Sequence, residues 1–316
     1  MKRALICGVN GQDGAYLAKL LLDKGYEVVG TSRDAQVSTF GNLQRLGIHG
    51  HVRTFSMALN DFRSVLRVLS AVEPDEIYNL SGPSSVGLSF ELPVETMEII
   101  GLGTLNLLEA IRFLRKRSRF YNAGTSECFG DTLGHPADEE TPFRPRSPYA
   151  VAKCTAHWQV ANYREAYGIF ACTGILFNHE SSLRPTNFVT KKIVEAARSI
   201  ANGSKEHLVL GNTKVIRDWG WAPEYVEAMW RMMQMDSPDD FVIATGISVS
   251  LEYFAELVFT EFGLDWRSHT DIKKELFRPT DLAVSRADAG KAVNRLQWQA
   301  KYNVNDVAKL MVAERI

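Results

Sequence analysis

Short, wholly apolar runs alternate along the chain with longer segments whose apolar residues recur at helical spacing. "RALICGV" and "EVVGTS" read as strands buried on both faces, and "AYLAKLLLDKG" between them reads as a helix closed by Gly25. Together they predict a βαβ unit. The alternation continues through "DFRSVLRVLSAV", "EIYNLSG", "GTLNLLEAIRFLRK" and "RFYNAGTS", then a long helix around "YAVAKCTAHWQVANYREAYG" and a strand "FACTGILFN". Such a rhythm predicts an α/β fold with a doubly wound parallel sheet. After Asn178 the rhythm breaks: loops rich in Ser, Arg, Pro and Thr precede "FVTKKIVEAARSIANG", and two later helical segments end the chain. These pieces predict a smaller, discontinuous lobe over the C-terminal edge of the sheet, where ligands of open α/β sheets bind. The expected division is a sheet domain of residues 1–178 completed by 214–246, with the lobe made of 179–213 and 247–316.

Composition narrows the function. With 316 residues and 45% hydrophobic content the chain can bury a sizeable core. Thirty-six basic against thirty-seven acidic side chains leave a net charge of -1, so no global field recruits DNA or anionic lipid. Neither nucleic acid nor a membrane is an expected partner. Cys7, Cys128, Cys154 and Cys172 are scattered without metal-like spacing, which predicts reduced thiols, no metal site and no disulfide. "MKRALICG" is too short in apolar residues for a secretory leader and no window approaches a membrane span, so the expected address is cytoplasmic.

The chemistry begins at "GVNGQDG", between the first strand and the first helix. Its glycines permit a tight turn and close backbone approach to a pyrophosphate, whose charge the helix N-terminus favours. Gly8, Asn10, Gly11, Gln12, Asp13 and Gly14 are therefore the candidate cofactor loop of a Rossmann-type sheet, the plainer alternative being an ordinary strand-to-helix turn. At the end of the second strand, "TSRD" puts Ser32 and Arg33 where an NAD enzyme usually carries an acid for the ribose hydroxyls. A guanidinium there suits a 2′-phosphate and predicts NADP, with NAD as the alternative that Asp34 keeps open. Further on, "SPYAVAK" sets Tyr149 and Lys153 four residues apart on one helix face. An ammonium one turn from a phenol lowers the phenol's pKa, so the pair can exchange a proton near neutrality beside a nicotinamide.

These motifs occur in order with "TSE", "NHES", "FVTKK", "LGNTKVIRDWGWAPEYVEAMW" and "RPTD". Together they resemble the GDP-mannose 4,6-dehydratase family of extended short-chain dehydrogenases/reductases, over roughly residues 4 to 300. The resemblance implies oxidation of a GDP-sugar at C4, elimination of water across C5 and C6, and return of the hydride to C6. It gives Tyr149 and Lys153 the redox proton, Thr125 a hydrogen bond to the 4-oxygen, and Glu127 the C5 proton. A plain alcohol dehydrogenase has no need of that acid, whose simpler role would be to complement a helix start. On the cofactor side the resemblance implies Leu59, Leu80, Ser81, His179 and Arg184. Around the substrate it implies Ser84, Ser85, Ser126, Asn178, Val189, Lys192, Leu210, Asn212, Arg217 and Arg278. Trp219, Trp221 and His157 read as packing residues. Family relatives pair through two long helices, here "GLGTLNLLEAIRFL" and the Tyr149 helix, which implies a homodimer, with a homotetramer as the further possibility.

Three places depart from the family pattern. Ala58 stands where an Asp would hold adenine, Gly82 and Pro83 replace two members of the sugar-side loop, and Leu183 and Pro185 flank Arg184 where a second arginine and a glycine are usual. The alternatives on the same scaffold are a reductase or epimerase of a GDP-linked keto-sugar, a dehydratase of another GDP-sugar such as a GDP-heptose, and a non-catalytic NADP-binding protein.

Overall fold

The computed structural model describes residues 1–115, 117–277 and 280–313. Its main sheet is built from β1 (Arg3–Cys7), β2 (Glu27–Ser32), β3 (Arg53–Ser56), β4 (Glu76–Asn79), β5 (Arg119–Ala123), β6 (Ala171–Leu176) and a late strand, Phe241–Ile243. Every pairing in it is parallel. From one edge the order is Phe241–Ile243, β6, β5, β4, β1, β2, β3, the doubly wound sheet that the apolar runs predict. Parallel strands covered on both faces cannot alternate polar with apolar residues. Leu5, Ile6, Ile77, Tyr78, Phe120 and Tyr121 accordingly lose all contact with solvent.

On one face lie α1 (Gln12–Asp23) and the short α2 (Gly41–Arg45). There Leu17 and Leu21 share a core with Val226 and Met229 of a later helix. On the other face α3 (Phe62–Val72) packs Val65, Val68 and Leu69 against Phe120 and against Leu107 and Ile111. An exposed face with few apolar residues and a buried stripe of four makes α3 strongly two-sided, and Asp61 caps it by accepting the Arg63 N–H at 3.0 Å. Two short helices, α4 (Val86–Glu91) and α5 (Pro93–Met97), run through a π turn at Glu98–Leu102 into α6 (Gly103–Phe113). The helix predicted from "GTLNLLEAIRFLRK" is thus the second half of a longer helical run. The long α7 (Pro148–Tyr167) starts where Ser147 accepts the Ala150 N–H at 3.1 Å and Pro148 supplies its preset φ.

The predicted strand "FACTGILFN" ends early: Phe177 turns its N–H to the Ile243 carbonyl, and a second strand, β7 (Asn178–Glu180), begins at once. From there the chain builds the lobe. It holds α8 (Val189–Ala201), β8 (Leu208–Leu210) and β9 (Ile216–Trp221), which pairs with β7. The chain then returns to the main sheet through α9 (Ala222–Met232), which packs on α1, and β10 (Phe241–Ile243). It leaves again through β11 (Ser248–Ser250), α10 (Leu251–Glu261), β12 (Thr270–Ile272) and α11 (Val304–Ala313). The lobe has its own core, with Ile193, Val194, Trp219, Phe254, Val258, Val307 and Met311 in one cluster. In the main sheet the chain crosses from the β3 side of β1 to β4 on the other side, so the crevice at the C-terminal ends of β1 and β4 is the topological switch point.

Candidate active site

A cleft of about 430 Å³ opens over that switch point, floored by the sheet and walled by the lobe. Gly8, Gly11, Gln12, Asp13 and Gly14 line its floor. Gly8 takes φ +82°, and a Cβ on it would meet the Leu80 carbonyl oxygen at 3.0 Å. At Gly14 a Cβ would sit 2.3 Å from the Gly8 oxygen. No side chain caps the first turn of α1, which leaves its N–H groups for a ligand. The cradle therefore fits a pyrophosphate laid against bare backbone. Gly14→Ala is expected to weaken cofactor binding by more than about tenfold in a fluorescence titration, because backbone rather than a movable side chain must yield. Asn10 does not line the cleft: its side-chain oxygen accepts the Asn42 N–H at 3.2 Å and pins the loop to α2.

The loop is also tied to the lobe's entrance. Asp13 Oδ2 lies 2.9 Å from His179 Nε2, while His179 Nδ1 lies 2.8 Å from the Phe177 carbonyl and the ring stacks on Tyr225 at 4.5 Å. Gln12 donates to the His179 carbonyl at 3.1 Å and accepts from Ser181 Oγ at 2.8 Å. Burial alone would raise the Asp13 pKa, but the His179 charge and hydrogen bond hold it down at about 2. Burial likewise pulls His179 down, and Asp13 overrides it so that the imidazole titrates above its ordinary value. Arg184 lines the cleft, paired to Glu180 at 3.1 Å with its guanidinium 3.7 Å over the Phe188 ring. Ser32 and Arg33 stand at the end of β2 outside the enclosed cleft, where Arg33 meets Glu95 at 3.0 Å. Leu59 is buried beneath and packs toward Gly103.

A second group of candidate residues gathers where β5 stops. Thr125 caps a tight 3-10 turn, Ser126–Phe129, by accepting the Glu127 N–H at 3.3 Å. Thr125, Ser126, Glu127, Tyr149 and Lys153 all line the cleft. Glu127 stands in the first turn of that short helix and also faces the cleft, so the helix-start role and the chemical role are compatible. Lys153 is buried and donates to the Ala123 carbonyl at 2.7 Å, its nitrogen 5.8 Å from the centre of the Tyr149 ring. Burial lowers the Lys153 pKa to about 8. Burial raises that of Tyr149, and the hydrogen bond with Thr125 only partly offsets it. A phenol lowered by its neighbouring ammonium is thus not what the chain alone produces: desolvation outweighs a lysine aimed mainly at a carbonyl.

Leu80, Ser81, Gly82, Pro83 and Ser84 also line the cleft, as do Asn178, Val189, Asn212 and Arg217. Ser85 instead caps α4, accepting the Leu88 N–H at 3.3 Å. Lys192 donates to the Val209 carbonyl at 2.6 Å outside the lining, and Leu210 is buried in the lobe core. Arg278 lies outside the described residues. Residues not named as site candidates also face the cleft, Asp281 and Trp219 among them. Asp281 pairs with Arg217 at 3.5 Å, and its signal was the acid closing "RPTD". Trp219, read as packing, belongs to the lobe core and lines the cleft as well; its place two residues after Arg217 on a strand puts both on one face.

The family model described as GDP-mannose 4,6 dehydratase matches residues 5–311. GDP-mannose 4,6 dehydratase 1 of Arabidopsis thaliana is 45% identical, the match covering 99% of this chain and 89% of that protein. GDP-mannose 4,6-dehydratase of Sinorhizobium fredii is 44% identical over 99% and 96%. Among solved structures, dTDP-glucose 4,6-dehydratase from Bacillus anthracis in complex with NAD superposes with a TM-score of 0.86 at 17% identity, covering 99% of this chain and 96% of that one, a likeness of fold.

Proposed function

Because this chain belongs to the GDP-mannose 4,6-dehydratase family, we propose that it converts GDP-mannose to GDP-4-keto-6-deoxymannose, a lyase reaction with NADP as resident cofactor. The observation that carries the reading is Glu127, a carboxylate in the same cleft as Thr125, Tyr149 and Lys153. Redox chemistry at an alcohol uses the last three; removal of a proton from carbon needs the fourth.

The glycine loop would hold the cofactor's pyrophosphate, Leu80 and Ser81 would line its nicotinamide end, and Arg33 would meet the 2′-phosphate, a guanidinium standing at the end of β2 in support of NADP over NAD. Bound there, the nicotinamide supplies a reversible hydride acceptor. Tyr149, as a phenolate stabilised by Lys153, takes the proton of the 4-hydroxyl and becomes the neutral phenol, while Thr125 fixes the 4-oxygen. The ketone so formed acidifies C5–H. Glu127 removes that proton and delivers one to the departing 6-hydroxyl, which leaves as water. Asn178, Asn212 and Arg217 hold the nucleotide diphosphate, Arg217 being kept in place by Asp281.

Two copies pair, in this reading, through α6 and α7. Its support is apolar exposure: Leu102 and Phe113 of the first helical run and Val151 and Trp158 of α7 all face solvent in the single chain. Among the described residues no helix is long and apolar enough to cross a membrane.

The test is to incubate the protein with GDP-mannose and NADP+ and follow the sugar nucleotide by mass spectrometry. Loss of one water without net NADPH supports the reading. Untouched GDP-mannose in folded, cofactor-loaded protein overturns it.

A further inference from the structure

We propose that Glu95 is a specificity-determining residue that sets the balance between NADP and NAD, by occupying Arg33 and holding a negative charge beside the adenosine 2′-position. The proposal rests on the reading of Arg33 as the group that meets a 2′-phosphate. In sheets of this kind the adenosine ribose lies at the end of the second strand, and Arg33 follows β2 directly. Its guanidinium meets a carboxylate 62 residues away, Glu95 Oε1 at 3.0 Å.

The acid is firmly carried. Glu95 stands in the first turn of α5, behind Pro93 with its fixed φ, and α5 runs through the π turn into α6. The next residue, Thr96, is buried and bonds back to the Leu92 carbonyl at 2.8 Å. The other nearby acid is committed elsewhere: Asp34 Oδ1 accepts the Gln36 N–H at 2.9 Å, closing a local turn. Ser56 holds the same loop by accepting the Ala35 N–H at 2.9 Å.

The Arg33 and Glu95 side chains are 73% and 46% exposed, so the pair adds little to stability and yields readily to a ligand. What it changes is the charge a cofactor meets. A 2′-phosphate carries nearly two negative charges and competes with Glu95 for one guanidinium, and after winning it the phosphate remains within ionic range of the displaced carboxylate. The 2′-hydroxyl of NAD is a donor that the same carboxylate can accept. Glu95 therefore weakens NADP and supports NAD, narrowing the preference that Arg33 creates.

The experiment measures dissociation constants of NADP+ and NAD+ for the whole protein, Glu95→Gln and Arg33→Ala, at low and high salt. Glu95→Gln is expected to tighten NADP+ by about three- to tenfold, to leave NAD+ unchanged or weaker, and to lose most of its effect at high salt. If the NADP+ to NAD+ ratio is unchanged or moves toward NAD+ in Glu95→Gln while Arg33→Ala loses NADP+ affinity, the proposal is overturned and the reading of Arg33 stands. If Arg33→Ala keeps full NADP+ affinity, the reading of Arg33 fails and the proposal falls with it.

Discussion

Glu127→Gln lowers the rate of water loss from GDP-mannose by about 10²- to 10⁴-fold, the usual contribution of a positioned general base. The amide keeps the shape of the side chain and the cap at Thr125, since that cap uses the residue-127 backbone N–H rather than its carboxylate. The turn Ser126–Phe129 therefore stays in place, and both ligands bind with little change. The variant loses a site able to accept a proton from carbon. The informative measurement runs the reaction in heavy water. Wild-type enzyme places deuterium at C5 of the product, because the proton taken by Glu127 leaves with the 6-hydroxyl as water and the one later returned to C5 is drawn from solvent. Glu127→Gln is expected to show neither product nor deuterium at C5, with affinity for GDP-mannose held within about twofold. Deuterium entering at the wild-type rate would assign the base to another residue.

Tyr149→Phe removes the oxidation step and is expected to lower turnover by about 10³-fold or more, with substrate affinity nearly unchanged. Its hydroxyl is buried at the end of the cleft, and burial holds the proton on, so a phenolate there depends on groups that favour its charge. In this chain the Thr125 hydroxyl and the Arg184 charge pull that way, and Lys153, 5.8 Å from the ring centre, is the ammonium placed to add to them. The lysine gives the pH profile its sign. Burial brings Lys153 to about 8, so it is charged below that pH and neutral above it. The kcat/KM is expected to fall as pH rises through about 8, and Lys153→Arg, charged throughout, is expected to lose this limb while retaining some activity. A wild-type profile flat from pH 7 to 10 would show that the ammonium charge is not needed.

Local patterns made much of the molecule legible before its structure. The parallel sheet could be read because strands buried on both faces leave uninterrupted apolar runs, as in "RALICGV". The glycine loop could be read because contact with backbone forces small residues into a fixed spacing, and Tyr149 with Lys153 because one helical turn brings them together. What was hidden is tertiary. Nothing local in "QDG" says that Asp13 meets an imidazole 166 positions away, nor does "TSRD" name Glu95 as the partner of Arg33. Ser85 resembles a substrate hydroxyl until the chain curls into α4 behind it and takes its oxygen as a cap. Lys192 looks like a free cation in "FVTKK", yet packing against β8 turns it to the Val209 carbonyl. The helical run before Gly103 is hidden because Pro93 and two glycines, Gly101 and Gly103, argue locally against a helix that packing on α7 supports.

The contact between Asp13 and His179 bears on how long a visitor stays. The glycine loop and the Asn178–Arg184 segment are opposite lips of the cleft, and the pair between them is nearly closed to water. Parting the lips breaks a charge-assisted hydrogen bond worth about 1.5–3 kcal/mol, and each 1.4 kcal/mol slows escape about tenfold. An enzyme that ends each cycle with its oxidant consumed must let the spent molecule go, and such a clasp would throttle it. A chain whose oxidant is regenerated on the spot gains from the clasp, because the residence time of one nucleotide then spans many turnovers and the enzyme becomes independent of the free nucleotide pool around it.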